Sequence, residues 1–371
     1  MERSLPHSKD RRPTFQLPVE PEFLELQKKV NALVDDLADE KDNLIRLKII
    51  LFPLLYTGTY AILLWKGSLP LVFYLSYMFL GLFLLLNFLN LIHDAVHGVT
   101  FKRHRRWNRI FLYFFDLLGA NSYIWKVRHL RLHHAFPNVM GWDSDLEQSP
   151  LVRIFPQSEQ KKIQKYQHLY LPFLYPLYLF NWLLVRDFKD YFNKNRVVHE
   201  VAKIPTVEYF KLFLFKFLFL GYLIVVPKLV LGVSWLAVIT GFILLTLTAS
   251  ITSLLVLLSP HASIESEFPQ RDEKGKLPHT WFMHQLLCTN DVSNDNFFIR
   301  FFMASFNYHV AHHLFPYIHH SYYPEVTKVL EDFTHQHGFP YRKHSLKTSL
   351  LNHYILLKKN AWQENIFEET M

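Results

Sequence analysis

The chain holds 21 His against 11 Gly, an inversion of ordinary usage, in which Gly alone is roughly 7% of residues. Eight of those histidines fall in three short runs. His93-Asp94-Ala95-Val96-His97 sets two rings four residues apart, a spacing that shares one face of a helix. His129-Leu130-Arg131-Leu132-His133-His134 repeats the spacing and adds an adjacent ring, turned roughly 100° around a helix and so able to reach a second metal. His309-Val310-Ala311-His312-His313 uses spacings of three and four. Neutral imidazole suits zinc, copper, iron and nickel, so ligand type does not name the metal. Ligand number says more: eight rings exceed what one ion can use while keeping a position open for substrate, which makes two ions the natural count. Asp94, Asp143 and Asp145 suit a supporting role, accepting ring N–H groups and fixing their orientation. A nitrogen-rich pair of redox-active irons could activate dioxygen, as an unactivated C–H bond requires.

A single HxxxH is more often surface or satisfied core than a metal site, and the weight lies in three runs together. His104, His168, His199, His279, His335, His337, His344 and His353 lack such spacing and read as solvated, and His319 and His320 as part of a packing or surface turn.

The elements that must position these runs are apolar helices. A hydrocarbon core of about 30 Å needs about 20 apolar residues, and four stretches qualify or nearly so: Leu47 to Trp65, Leu69 to Ile92, Tyr209 to Leu231 and Val233 to Leu258. They come in pairs joined by very short turns, so each pair is a hairpin that returns to its starting side, and all three histidine runs share that side. Lys66 and Lys228 alone fall at the hairpin tips, whereas Lys102, Arg103, Arg105, Arg106, Arg109, Lys126, Arg128 and Arg131 crowd the first middle stretch. The positive-inside rule therefore puts the histidines on the cytosolic face. Lys211 and Lys216 can snorkel. Ile110 to Ile124 and Tyr166 to Val185, the latter interrupted by Pro172 and Pro176, read as interfacial helices. The expected fold is an all-α integral membrane protein: four spans in two hairpins under a cytosolic helical cap that carries the di-metal site, with residues 1–46 as a cytosolic tail and 47–371 as the enzyme domain.

Composition excludes several classes. A net charge of +8 beside long apolar runs fits an anionic membrane surface more economically than nucleic acid. The single Cys288 rules out an intramolecular disulfide and a Cys-based zinc site. The N-terminal forty residues show no signal peptide. A metal transporter would carry polar groups midway through its spans; here these are almost wholly Leu, Phe, Val and Ile, with Thr246, Thr248 and Ser250 as mild exceptions.

The ordered pattern HxxxH, HxxxHH, HxxHH around two hairpins resembles the membrane fatty acid desaturase superfamily. Ser122 to Trp125 (SYIW), His129 to Asn138 (HLRLHHAFPN) and Asn307 to Pro316 (NYHVAHHLFP) are similar to bacterial acyl desaturases related to front-end desaturases, and the likeness runs from about Asn90 to Pro340. It implies two iron ions and an oxidoreductase that introduces a C=C bond into a long-chain acyl group carried by coenzyme A, carrier protein or phospholipid. Dioxygen would be the oxidant. The HPGG motif of a fused haem domain is absent, so electrons would come from a separate ferredoxin or small b-type cytochrome. A bacterial inner membrane is the expected location, although an endoplasmic reticulum would satisfy the same topology. The rival within the superfamily is a hydroxylase or ketolase acting on a carotenoid, sphingoid base or alkane.

The resemblance also implies a ninth ligand after the fourth span, which falls on His261. On depth alone, a ring that merely caps the helix end would be the better reading. His284 competes for the same role. Two departures stand out: His309 occupies a position where front-end enzymes usually have Gln, which leaves the regioselectivity open, and Leu257 stands where some relatives place an Asn, leaving that part of the metal shell to water.

Overall fold

The computed structural model describes residues 12–15, 19–102, 105–147, 149–257 and 260–361. Among these, strand structure is confined to two parallel two-residue pairings, Thr14–Phe15 with Lys276–Leu277 and Asp291–Val292 with Lys343–His344; the rest of the ordered backbone is helix or turn.

Five helical stretches are long and apolar enough to cross a membrane: α2 (Ala38–Lys66), α3 (Pro70–His97), α5 (Lys162–Phe192), α6 (Thr206–Leu231) and α7 (Trp235–Leu254). They are preceded by α1 (Pro21–Asp36), and α4 (Arg105–Leu117) lies between α3 and α5. Beyond them lie α8 (Tyr323–His337) and α9 (Leu346–Lys359). The sequence counts four such stretches, because α5 is interrupted. Pro172 and Pro176 remove backbone donors, and the chain answers with a 3-10 turn at Tyr175–Leu177 and a π turn at Trp182–Arg186.

Helix α2 starts nine residues before the apolar run that marks it. Its first turns are charged, and Lys41 pairs with Glu325 of α8 at 2.8 Å. Helix α1 seats Phe23, Leu26 and Val30 in one core with Val326, Leu330 and Phe333 of α8. The segment after residue 20 is thereby built into the body that carries the third histidine run.

Helices α3 and α7 form the closest-packed pair. A Cβ on Gly81 would lie 2.2 Å from the Leu245 carbonyl oxygen, and one on Gly241 would lie 2.5 Å from the Tyr77 ring. Small residues at such crossings let two backbones meet where lipid supplies no hydrophobic drive between helices. This crossing sets the relative height of the two helices whose ends deliver His93 and His261. Gly81→Val should force α3 and α7 apart, lowering stability by about 1–3 kcal/mol; a thermal unfolding scan in detergent showing an unchanged midpoint would contradict this packing.

Candidate metal centre

Each histidine run is delivered by a distinct local device. Helix α3 converts at Phe88–Ile92 into a π turn, closed by a bond from the His93 N–H to the Phe88 carbonyl, and then makes one last α turn that carries His93 and His97. It stops at Gly98, whose φ of 79° is a left-handed conformation that Gly adopts without Cβ strain. The second run follows a helix start capped by Asn121, whose side chain accepts the Ile124 N–H at 2.9 Å. It then winds as a π-helix over Val127–His133, with the His134 N–H donating to the His129 carbonyl at 2.9 Å. That five-residue bond has a consequence. An α-helix would splay His133 and His134 apart, whereas a wider turn brings positions four and five beyond His129 to either side of it. The third run forms a short helix, His309–Leu314, held at its start by a 2.7 Å bond from the Val310 N–H to Asp291.

All nine predicted positions converge. His93, His97, His129 and His312 form one group of facing ring nitrogens; His133, His261, His309 and His313 form a second; His134 groups with His312 and His313, between the two. The Nε2 of His129 lies 3.2 Å from those of His93 and His97 and 3.1 Å from that of His134. In the second group the Nε2 of His261 is 3.0 Å from those of both His309 and His313. His284 stands apart: its Nε2 lies 2.9 Å from the Pro137 carbonyl, and it joins none of these groups among the described residues.

On five rings the opposite nitrogen points outward to an acceptor, whereas the buried Nδ1 atoms of His134 and His309 have none. His133 Nδ1 is 3.0 Å from Asp143, His93 Nδ1 3.2 Å from Asp94 and His129 Nδ1 3.5 Å from Asp145. His261 Nδ1 reaches the Cys288 carbonyl at 3.1 Å and His313 Nδ1 the Gln285 side-chain oxygen at 3.0 Å. An Nδ1–H donated outward leaves the Nε2 lone pair aimed inward. Burial, reinforced by neighbouring rings, holds His134, His261, His309, His312 and His313 far below the usual imidazole range. Burial likewise takes His129 down to about 3, against the pull of Asp145. His133 goes the other way, because the Asp143 carboxylate outweighs its burial. Neutral lone pairs about 3 Å apart are mutually repulsive unless a cation lies between them. Two ligands at roughly 2.0–2.1 Å from an ion and near a right angle sit about that far apart. The buried His312 Nε2, which has no hydrogen-bond partner, fits the same account.

Sequence reasoning missed a second polar knot. His319 and His320 take the packing alternative and not the surface one: both are buried at a 3-10 turn, and they bind Asp94 Oδ2 at 3.1 and 2.8 Å. Buried Lys48 of α2 reaches His320 Nε2 at 2.9 Å and Asn90 at 2.8 Å. The ammonium beside His320 disfavours a further cation there, and the arrangement instead fixes Asp94, which in turn orients His93. A lysine at the edge of an apolar run and a His pair after the third run were the available signals, but hydropathy averages over the first and spacing rules ignore the second.

A cavity of about 370 Å³ opens directly on both groups, its wall holding His129 and His309 together with Phe88, Trp182, Leu174 and Leu254. Buried imidazole groups beside an apolar cavity, at the ends of paired apolar helices, mark a candidate metal site in a protein built for a membrane. Residues 67–345 match the family model described as fatty acid desaturase, and the chain belongs to that family. It is 29% identical over 319 residues to the sn-1 linoleoyl-lipid 6-desaturase of Synechocystis, covering 82% of this chain and 88% of the relative. The Arthrospira platensis protein of the same name is 28% identical over 271 residues, 73% of each chain. An acyl-lipid (8-3)-desaturase of Physcomitrium patens is 28% identical over 82% of this chain and 63% of its own length. The protein is a fatty acyl desaturase of the membrane.

The outward acceptors generate a selective expectation. Asp94→Asn should weaken metal retention in the His93 group and Asp143→Asn in the His133 group, each by about 10–100-fold in affinity. Metal analysis of the two purified variants checks this, and loss of all metal from both would argue against separable sites.

Proposed function

We propose that this desaturase binds two iron ions, one in each imidazole group, through His93, His97, His129, His133, His134, His261, His309, His312 and His313, and uses dioxygen to place a C=C bond in a long-chain acyl lipid. The observation that carries the reading is the pair of converging Nε2 groups with one apolar cavity against both. Overall, a –CH2–CH2– unit, dioxygen, two electrons and two protons become –CH=CH– and two waters. The irons supply dioxygen activation, with electrons from a separate carrier such as a ferredoxin or a b-type cytochrome. The protein's own residues do the rest. Phe88, Trp125, Trp182 and Phe306 wall the cavity beside His93 and His129 and exclude water from the acyl chain, while the outward carboxylates keep the His93, His129 and His133 rings in one tautomer. An acyl-lipid substrate is favoured by the likeness to the two sn-1 linoleoyl-lipid 6-desaturases.

The same reading places α2 with α3 and α6 with α7 as four spans in two hairpins, the termini and histidine groups on the cytosolic side, in a bacterial inner membrane. Helix α5 then lies along the interface. Its π turn lines the same cavity wall as His129 and His133, and it buries Arg186, Asp187 and Asp190, three ionisable groups that a bilayer centre would penalise. Residues 47–371 hold the enzyme domain in this scheme, with α1 and the first turns of α2 packed onto it.

Expression in a host lacking polyunsaturated lipids, followed by mass spectrometry of its fatty acids, should reveal a new double bond. His133→Ala should abolish it and lower iron below two ions per chain. A hydroxylated or keto product in its place would overturn the assignment. In the same cells, single cysteines at Lys66 and Lys228 should label from outside, and one at Lys102 only after permeabilisation. Labelling of Lys102 in intact cells would refute the cytosolic site.

A further inference from the structure

A second apolar cavity lies beside the one at the metal centre. It too holds about 370 Å³, and Pro172, Tyr175, Ile251, Leu254, Leu350 and Leu357, drawn from α5, α7 and α9, form most of its wall. None of the nine converging histidines lines it, and no Asp, Glu, Lys or Arg does. Tyr175 and Leu254 line both cavities, so the two spaces are parted there by a single layer of side chains. The neighbouring surface is apolar as well, with Phe173, Leu177 and Ile251 exposed, a face that suits contact with lipid.

The partition is held by polar bonds. His353 of α9, whose spacing along the chain reads as solvated, is buried. Its Nδ1 lies 2.7 Å from the Ala262 carbonyl, which can only accept; the ring proton therefore sits on Nδ1, and Nε2 accepts the Tyr175 hydroxyl. Gln167 of α5 donates to the Leu357 carbonyl of α9 at 2.7 Å, so α5 and α9 are tied at two points along the second cavity. A chain sliding from one space to the other past Tyr175 would break its bond to His353 and leave a buried nitrogen unmet, which is costly. The wall thus separates two spaces and does not join them into one route.

Two apolar spaces side by side suit a ligand with two hydrocarbon chains. In a diacyl glycerolipid the chains leave adjacent glycerol carbons and run next to each other, whereas a coenzyme A or carrier-protein thioester brings one. We propose that the second cavity holds the other acyl chain of the lipid whose reacting chain lies against the imidazole groups, so that the substrate is a two-chain glycerolipid. The proposal rests on the acyl-lipid reading above and names the class of lipid. Hydrocarbon leaving a bilayer for an apolar cavity gains little, so the second cavity contributes position more than affinity: it fixes where the lipid sits across the partition, and with it how far the reacting chain reaches.

The test starts with the wild type in vesicles, which avoids any question of folding. Product analysis identifies which chain of a diacyl glycerolipid is desaturated, and a photoreactive diazirine is then placed midway along the other. Irradiation should label Ile251 and residues 350–357 well above α2 and α6, while a diazirine on the reacting chain should label the first cavity. Labelling spread evenly over the lipid-facing helices would overturn the proposal. Ile251 and Leu350 line only the second cavity, and Ile251→Trp or Leu350→Trp should fill it. Each should cut kcat/KM on the two-chain ester about 10-fold or more, the scale of overpacking an apolar site, and leave the one-chain ester of the same reacting chain within about 2-fold. Equal losses on both esters would make the cavity an entry route, and no loss on either would make it a surface for bulk lipid; both results overturn the proposal. If the wild type turns over the two-chain ester alone, the photoprobe decides. Turnover of a thioester and of no glycerolipid ester would instead remove the acyl-lipid reading on which the proposal rests.

Discussion

Nine imidazole rings turn nitrogens toward one another, seven of them at 3.0–3.2 Å, and much of the surrounding structure is organised to make that tolerable. A ring presents its Nε2 lone pair when the proton sits on Nδ1, and for several of the rings that N–H is met by an acceptor drawn into the interior: Asp94, Asp143, Gln285, the Cys288 carbonyl. Those acceptors need support of their own. Asp143 is held by the Asn138 N–H at 2.9 Å, and Asn138, at a left-handed φ of 59°, passes its side-chain amide on to the His261 carbonyl. Asp94 is held by His319, His320 and, through His320, Lys48. The centre is thus tied to both apolar hairpins by polar bonds inside a protein whose other interior is hydrocarbon.

Backbone irregularity serves the same end. Two π turns occur just where histidines must change direction, at Phe88–Ile92 before His93 and across Val127–His133. Each widened turn leaves its helix otherwise intact, so the rings gain a new bearing without a loop. The price is a weaker helix, which the burial of Leu89, Leu91, Ile124 and Leu132 offsets.

The cavity combines two kinds of lining. Its apolar residues come from α3, α5 and α7 and from the 146–154 stretch, Trp125 and Phe306, while its polar ones are the histidines, Asp145, Arg128 and Arg186, the two guanidiniums being held in turn by Asp190 and Asp145. Hydrocarbon and imidazole are thus lining residues of one space.

The three histidine runs, the paired apolar helices and the resemblance to desaturases were all legible in the residues, because periodicity, hydropathy and ligand spacing are local properties. So was His261, though only with the help of the resemblance: its spacing says nothing, and its place in the second group depends on the close crossing of α3 and α7 at Gly81 and Gly241. Tertiary structure alone decided the rest. The π winding that lets His129, His133 and His134 act together leaves no composition signal, since it differs from an α-helix by one hydrogen-bond register. Lys48, His319 and His320 come from segments more than 200 residues apart in the chain, and no window along the sequence can show that they meet at Asp94. The same holds for Arg128: a basic residue in a basic stretch reads as a solvated charge until its burial against Asp190 shows otherwise.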